Sequence, residues 1–270
     1  MRPINMRSDT ELRHETALER SPREMHDLRY DLLRMGICSF NAGENGKSCV
    51  CDAMPLPSSL VLQRKEEAAY LHALESNYTT SSFEEAQRAM DSLEDFLLKY
   101  GTSRTIGQPA RRRKALQNCL GQIRPHLVRI SDLHLLDVNF SRGESEVLMK
   151  LTTQIYDTIN TRVSVRQGGR APTVAGKVMH ILQPRLYVIW DRRIREARGL
   201  KDTFEGYWDY LQTTQEGLRE ALDDYRNTSH SANASPSDFE RVFYQNGMKP
   251  ITKLYDEACY AMVRGWLHFG

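Results

Sequence analysis

Apolar residues recur every three or four positions along most of the chain, which is the spacing of one face of an α-helix. The clearest face follows Ser82 and Glu85, which have the spacing of a capping box, and its residues are Ala86, Met90, Leu93, Leu97 and Tyr100. A second pair with that spacing, Ser141 and Glu144, precedes Leu148, Leu151, Ile155 and Ile159. Each pair predicts a helix that is capped by its serine.

Similar signals continue in the rest of the chain. A helix is predicted over residues 59–76, and Leu116, Cys119, Leu120 and Ile123 mark another. In the C-terminal third, Ser235-Pro236 is a typical helix start, and the apolar stripes are Phe204, Trp208, Leu211 and then Ile251, Leu254, Tyr255, Ala258, Met262, Trp266. We expect these aromatic side chains in the core rather than on a base-stacking platform. Because alternating strand patterns are almost absent, we predict an all-α fold of roughly eight to ten helices.

Residues 36–57 interrupt the helical pattern with many turn formers and no periodicity, so they predict a long loop. We therefore divide the chain into a partly irregular N-terminal extension, residues 1–56, and a helical domain, residues 57–270. Cys38, Cys49 and Cys51 lie in the loop. We interpret them as incidental thiols; the alternative, zinc ligation, is less favoured because C-x-C without a second pair is a poor metal signature.

Composition excludes some classes of protein. The 37 basic and 35 acidic residues give a formal charge of +2, which neither requires nor excludes a nucleic-acid partner. No run approaches the ~18 apolar residues of a membrane span, and the N-terminus lacks the apolar core of a secretory signal. We expect a cytoplasmic monomer with no membrane partner, no metal and no cofactor.

The segment from Ala171 to Arg198 has the most informative order of residues. It contains a Gly/Pro turn, a short helix expected to open at Gly176-Lys177, a break at Pro184, an apolar run and Asp191. Lys177 is expected in the first turn of its helix, where backbone amides favour an anion. Asp191 is expected at the N-cap of the next helix.

This order resembles the helix-hairpin-helix base-excision DNA glycosylases. The resemblance implies a glycosylase-like helical domain in which Pro172 and Gly176 belong to the hairpin. It further implies that Lys177 matches the Schiff-base lysine of the family and Asp191 its catalytic aspartate. The resemblance implies a divergent member, since Thr173 and Ala175 stand in place of the two hairpin glycines and the interval from Lys177 to Asp191 is shorter than usual.

The chemistry of N-glycosidic bond cleavage explains the pair. Cleavage develops positive charge on the sugar, so a carboxylate at Asp191 would stabilise the transition state and orient water. Lys177 would either attack C1′ to form an imine, giving strand nicking, or contact a phosphate. The target base must be flipped into a pocket, for which Trp190, Tyr187 and His180 are the candidates.

Arginines near the segment favour double-stranded DNA as the partner. Arg192, Arg193, Arg195 and Arg198 follow Asp191, and Arg162, Arg166 and Arg170 precede the hairpin, where Thr173 and Gly176 offer backbone contacts. A separate run is Arg111, Arg112, Arg113 and Lys114. Such runs are also typical of a solvated helix surface.

Simpler interpretations stay open for each residue. Asp191 could be only a helix cap, Lys177 a surface lysine and His180 a satisfied core histidine. Our hypothesis is a DNA glycosylase that removes a damaged or modified base, including the modified bases of phage DNA in antiviral defence. The alternatives are a non-catalytic helical DNA-binding module and a helical interaction or toxin-like protein.

Overall fold

The computed structural model describes residues 64–76, 83–141, 143–164, 169–228 and 250–253, together with 233, 235, 236, 238, 255, 256 and 259. Every regular element within these residues is helical, which confirms the all-α prediction. The elements are α1 (Arg64–Glu75), α2 (Phe83–Lys99), α3 (Ser103–Ile106), α4 (Pro109–Arg129), a 3₁₀ turn (Leu135–Asp137), α5 (Glu144–Arg162), α6 (Pro172–Leu182), α7 (Arg192–Ala197) and α8 (Phe204–Thr228). The predicted division at residue 56 lies outside them.

Helix α6 lies at the centre of the helical packing. It contacts α1, α2 and α5, and α5 in turn contacts α4 and α8. Every residue of α6 from Val174 to Leu182 is buried. Burial on all sides is typical of a core helix rather than of an amphipathic surface helix.

The predicted apolar faces of the other helices point into the same core. Buried positions include Met90, Leu93 and Leu97 of α2, Leu116, Cys119 and Ile123 of α4, Leu148, Leu151, Ile155 and Ile159 of α5, and Phe204, Trp208 and Leu211 of α8. Full burial of one such side chain stabilises the fold by roughly 1.5–3 kcal/mol. The helical periodicity therefore identified most of the core, but of the other predicted face residues Tyr100 and Leu120 are half-buried and Ala86 is exposed.

Two predicted helix starts are wrong. The N-cap of α5 is Gly143, with no side-chain cap, because the Ser141 hydroxyl and amide both donate to the Asn139 side chain, at 2.8 and 3.1 Å. Helix α6 begins at Pro172, four residues before Gly176. Proline is tolerated there because the first helical amide has no intrahelical acceptor. Its start is fixed to α5, since the Ala171 N–H donates to Oδ1 of Asn160 at 2.6 Å.

The C-terminal signals are described in part. Ser235 and Asp238 form a reciprocal capping box: the Asp238 N–H donates to Ser235 Oγ at 3.1 Å, and the Ser235 N–H donates to the Asp238 carboxylate at 3.0 Å. Ile251 and Tyr255 of the last stripe are buried. Leu254, Ala258, Met262 and Trp266 lie outside the described side chains, as does Ser82, the predicted cap of α2. None of the described helices is long and apolar enough to span a lipid bilayer.

Candidate functional site

The segment from residue 171 to residue 198 folds as α6, a connection and α7. Helix α6 ends at Leu182, two residues before Pro184, as predicted. Asp191 is the N-cap of α7, and its side chain accepts a hydrogen bond from the Arg193 N–H at 2.9 Å, which confirms the predicted cap. Lys177 is the sixth residue of α6, so the prediction that it falls in the first turn is wrong.

Gly176 permits a close approach between α6 and the connection. A Cβ at this position would lie 2.6 Å from Cβ of Trp190 and 3.1 Å from its backbone nitrogen. The stretch expected to form a hairpin, from Pro172 to Gly176, is helical, and Thr173 is half-buried at its second position. Gly176 therefore packs against Trp190 inside the protein, where the resemblance implied a backbone contact to DNA.

Lys177 is buried and bound. Its side chain is 4% exposed, and its Nζ donates to the Tyr100 carbonyl oxygen at 2.6 Å. The same ammonium lies 5.6 Å from the centre of the Tyr100 ring. Since Tyr100 follows α2 directly, Lys177 ties α6 to the end of α2. An imine requires an accessible, unprotonated amine, so this geometry suits a positioning role for Lys177.

His180 is a core histidine with both ring nitrogens bonded. Nδ1 lies 2.7 Å from the Tyr187 carbonyl oxygen, which can only accept, so Nδ1 carries the proton. Nε2 then accepts from the Tyr70 hydroxyl at 2.9 Å. Burial lowers the pKa of His180 to about 3, and the ring is neutral. This is the simpler interpretation that the sequence left open.

Tyr187 and Trp190 are also enclosed. Tyr187 is fully buried and its hydroxyl lies 3.1 Å from Thr152 Oγ1; burial raises the pKa of this phenol well above its usual range. The Trp190 ring meets the rings of Tyr207 and Tyr210 edge-on, with centroids 5.2 and 5.6 Å away. The three residues expected to line a base pocket, including His180, thus lie in the core.

Asp191 differs from them because it is only half-buried. Its Oδ1 accepts the Arg193 amide. No described residue is hydrogen-bonded to Oδ2. The carboxylate therefore keeps one oxygen with which it could contact a ligand or a water molecule.

The arginines around Asp191 divide into two groups. Arg170, Arg192 and Arg193 are exposed, although Arg192 also donates to Glu196 at 2.6 Å. Arg195 and Arg198 turn inward: the guanidinium of Arg195 lies 5.6 Å from the centre of the Trp190 ring, and Arg198 donates to the Tyr255 hydroxyl at 2.9 Å. Of these five described arginines, only those of the first group are exposed.

The second basic run mostly stabilises the fold. Arg112 donates to Glu94 at 3.0 Å in a buried ion pair, and Arg113 pairs with Glu94 at 2.9 Å and also with Asp91. These pairs attach the start of α4 to α2. Arg111 and Lys114 stay exposed.

Sequence reasoning missed a buried ion pair behind His180. Lys253 is 1% exposed, and its ammonium lies 2.5 Å from Asp256 and 5.5 Å from the centre of the Tyr70 ring. Its positive charge contributes to the low pKa of His180. The available signal was an opposite-charge pair at i, i+3 between apolar stripe positions, which alone is too common to indicate a buried site.

No group of three or more His, Cys, Asp or Glu side chains among the described residues is placed to hold a metal ion. Cys38, Cys49 and Cys51 lie outside the described residues. Comparison of the chain with family models, with curated proteins and with solved structures found no match.

Proposed function

We propose that the protein is a DNA glycosylase in which Asp191 assists hydrolysis of the N-glycosidic bond of a flipped base. The observation that carries the proposal is the position of the Asp191 carboxylate. One oxygen is fixed by the helix backbone, the other has no described partner, and the exposed Arg192 and Arg193 follow directly. A carboxylate held in this way has a defined orientation without being consumed by an ion pair.

The proposed reaction needs only water. The bond between C1′ and the base nitrogen breaks, positive charge develops on the sugar, and Asp191 stabilises it. Water adds its oxygen to C1′ and transfers one proton to the carboxylate, which returns it through solvent to the nitrogen of the released base, so that the carboxylate is ionised again. The exposed arginines near the carboxylate would contact the DNA backbone.

The surroundings of Lys177 favour hydrolysis without strand nicking. Its amine is enclosed and donates to the Tyr100 carbonyl, so no free amine is presented to C1′. The proposal is therefore a monofunctional glycosylase, in which Lys177 positions α6.

Asp191→Asn is the most informative variant. An asparagine side-chain oxygen accepts the Arg193 N–H as well as aspartate does, so the helix cap is retained while the negative charge is lost. The full chain is incubated with duplexes that carry damaged bases and the modified bases of phage DNA, and abasic sites are counted after alkaline cleavage. We expect Asp191→Asn to slow release by about a hundredfold or more. Asp209→Asn, an exposed acid on α8, should leave the rate unchanged.

Borohydride trapping tests the role of Lys177 separately. We expect no covalent adduct with the DNA, because no imine forms. If the wild type forms an adduct and Lys177→Met does not, Lys177 forms an imine, and a lyase mechanism takes the place of simple hydrolysis.

The enclosure of Tyr187, Trp190 and His180 favours one second candidate, a non-catalytic DNA-binding module. It predicts salt-sensitive binding to duplex DNA without base release. In that case Asp191→Asn would leave binding unchanged or strengthen it, since one negative charge is removed from the binding surface. If the protein binds duplex DNA in this way but none of the tested duplexes loses a base, the DNA-binding module is favoured over the glycosylase.

A further inference from the structure

The described residues near the C-terminus contact the stretch that contains Asp191. They are residues 250–253, 255, 256 and 259, here called the C-terminal segment, and all of them after residue 250 are helical. The Thr252 hydroxyl donates to the Pro184 carbonyl oxygen, two residues after the end of α6. The Arg198 guanidinium, at the other end of the stretch, also donates to this segment. Asp191 thus lies between two points of the chain that bind the same segment.

The Arg198 side chain is enclosed by the C-terminal segment and α8. Its Nη2 donates to the Tyr255 hydroxyl at 2.9 Å and to Cys259 Sγ at 3.2 Å. The guanidinium carbon lies 4.7 Å from the centre of the Tyr210 ring and 5.5 Å from that of the Tyr255 ring. Both tyrosines and Cys259 are buried. Arginine suits this position because its planar group stacks on aromatic rings and donates several hydrogen bonds at once.

Helix α7 depends on contacts with other elements for its orientation. It has six residues, and a helix of this length is not stable by itself in water. Ile194 and Arg195 turn inward and pack against the core. Among the described residues, the polar contacts of the side chains from 191 to 197 are made within residues 191–202. Arg198 therefore provides the hydrogen-bonded anchor between this helix and a distant part of the chain.

Backbone hydrogen bonds connect this anchor to Asp191. The Arg198 N–H donates to the carbonyl oxygens of Ile194 and Arg195, and the Arg195 N–H donates to that of Asp191 at 3.0 Å. The interval from Asp191 to Arg198 corresponds to ~10 Å along a helix axis. A rotation of α7 at its C-terminal end therefore displaces the Asp191 carboxylate. A displacement of about 1 Å at a catalytic group lowers a rate by about a hundredfold.

We propose that Arg198 is a positioning residue, which fixes the Asp191 carboxylate by binding α7 to the C-terminal segment. The inference rests on the proposed function, because that function makes Asp191 catalytic. The guanidinium of Arg198 faces buried side chains, so it acts through α7 rather than on DNA or the sugar. Base release thereby depends on Tyr255 and Cys259, which lie 57 and 61 residues further along the chain.

Arg198→Met tests the inference, because methionine keeps much of the length of the side chain and removes its donors. Base release is measured in single turnover with the protein in excess over each duplex that loses a base, and DNA affinity is measured by fluorescence anisotropy. We expect release about a hundredfold slower and an unchanged affinity for DNA. Arg198→Lys keeps the charge and a donor and should recover part of the rate.

Arg219→Met is the matched control. Arg219 donates to the carbonyl oxygens of Leu136 and Val138 and so joins α8 to the 3₁₀ turn, a contact in which α7 takes no part. Its loss should lower the urea midpoint, as the loss of Arg198 does, but leave the rate of base release unchanged. If the rate falls equally in the two variants, Arg198 only supports the fold and the inference is wrong.

Hydrogen exchange of the Arg193 amide tests the inference without catalysis. This amide donates to Asp191 Oδ1, so its exchange rate reports how firmly the carboxylate is held. We expect exchange about tenfold faster in Arg198→Met, the effect of about one hydrogen bond, and no change in Arg219→Met. Tyr255→Phe removes one acceptor of the Arg198 guanidinium and should change the rate in the same direction.

The inference is wrong if Arg198→Met releases the base as fast as the wild type, or if the Arg193 amide exchanges at the wild-type rate in both Arg198→Met and Tyr255→Phe. If Arg198→Met does not fold, Tyr255→Phe alone decides by the same two measurements. The glycosylase proposal fails independently. If no duplex loses a base while the Arg193 amide still exchanges faster in these variants, Arg198 positions α7 but Asp191 does not catalyse base release.

Discussion

Helix α6 and the first residues of α7 have opposite environments, although the sequence presents them as one motif. In α6, Gly176, Lys177 and His180 are enclosed, and each is committed to a contact with another core element. At the start of α7, Asp191 and Arg193 reach the surface. Helix α6 therefore builds the scaffold, whereas Asp191 and Arg193 are the positions at which the proposed reaction and DNA contact can be tested. Substitutions should therefore affect stability in α6 and activity at α7.

The largest expected effect on stability concerns His180. Burial lowers the pKa of His180 to about 3 in the fold, whereas an unfolded histidine titrates near 6.5. The unfolded state therefore binds the proton first, and the contribution to stability is complete above about pH 6.5. It decreases as the pH falls toward 3, by ~1.4 kcal/mol per pH unit and roughly 5 kcal/mol in all. Urea unfolding at a series of pH values measures this.

Two variants isolate the histidine from other acid effects. His180→Gln removes the titrating ring and should remove this part of the pH dependence. His72→Gln, at an exposed position of α1, should retain the wild-type profile. If the free energy of unfolding of His180→Gln falls with pH as steeply as that of the wild type, the prediction that the buried ring is neutral is wrong.

The next effect concerns the contact between α6 and Trp190. Gly176→Ala places a methyl group 2.6 Å from the Trp190 Cβ, where backbone and side chain must both shift. We expect the free energy of unfolding to fall by about 3 kcal/mol. Gly121→Ala in α4 is the matched control, because its added methyl group meets open space, and it should raise stability by up to ~1 kcal/mol. Denaturant titrations measure the free energy of unfolding of both variants. If the two values change equally, the contact between Gly176 and Trp190 is not tight.

Much of this fold could be predicted from local patterns. Helical spacing identified the buried faces of α2, α4, α5 and α8, because amphipathic periodicity is a local property of the sequence. The start of α6 could not be located in the same way. Gly and Pro suggested a turn, but the N–H that donates to Asn160 comes from Ala171, and this long-range contact fixes the start of the helix at Pro172.

Some features of the candidate site were also predictable from local sequence and others were not. The cap at Asp191 was predictable, since it depends on an acidic residue directly before a helix. The burial of Lys177 was not, because its acceptor, the Tyr100 carbonyl, lies 77 residues away in the sequence. The burial of Trp190 was not predictable either, because the rings that it contacts, Tyr207 and Tyr210, belong to α8. Tertiary contacts decided each of these positions.

A smaller effect on stability is expected at Asp191, the N-cap of α7. Two substitutions there distinguish the negative charge of the side chain from its capping hydrogen bond. Asp191→Ala removes the acceptor of the Arg193 N–H and should lower stability by ~1 kcal/mol, whereas Asp191→Asn should change it by only a few tenths of a kcal/mol. Both should remove base release if the carboxylate is catalytic. Unfolding curves and the abasic-site assay on the same samples distinguish the two roles. Retained release in Asp191→Asn would leave Asp191 as a cap alone.

The smallest effect on stability is expected at the exposed Arg193, because its side chain has no hydrogen-bond or ion-pair partner among the described residues. Arg193→Ala should change the free energy of unfolding by less than ~0.5 kcal/mol. If α7 faces DNA, each lost phosphate contact lowers the slope of log affinity against log salt concentration by ~0.9. Lys114→Ala is the control, because it removes one exposed charge from α4, the helix whose neighbouring arginines are already paired with α2. If the two variants have equal salt slopes, the DNA contact is not centred on α7, even when Arg193→Ala leaves the free energy of unfolding unchanged.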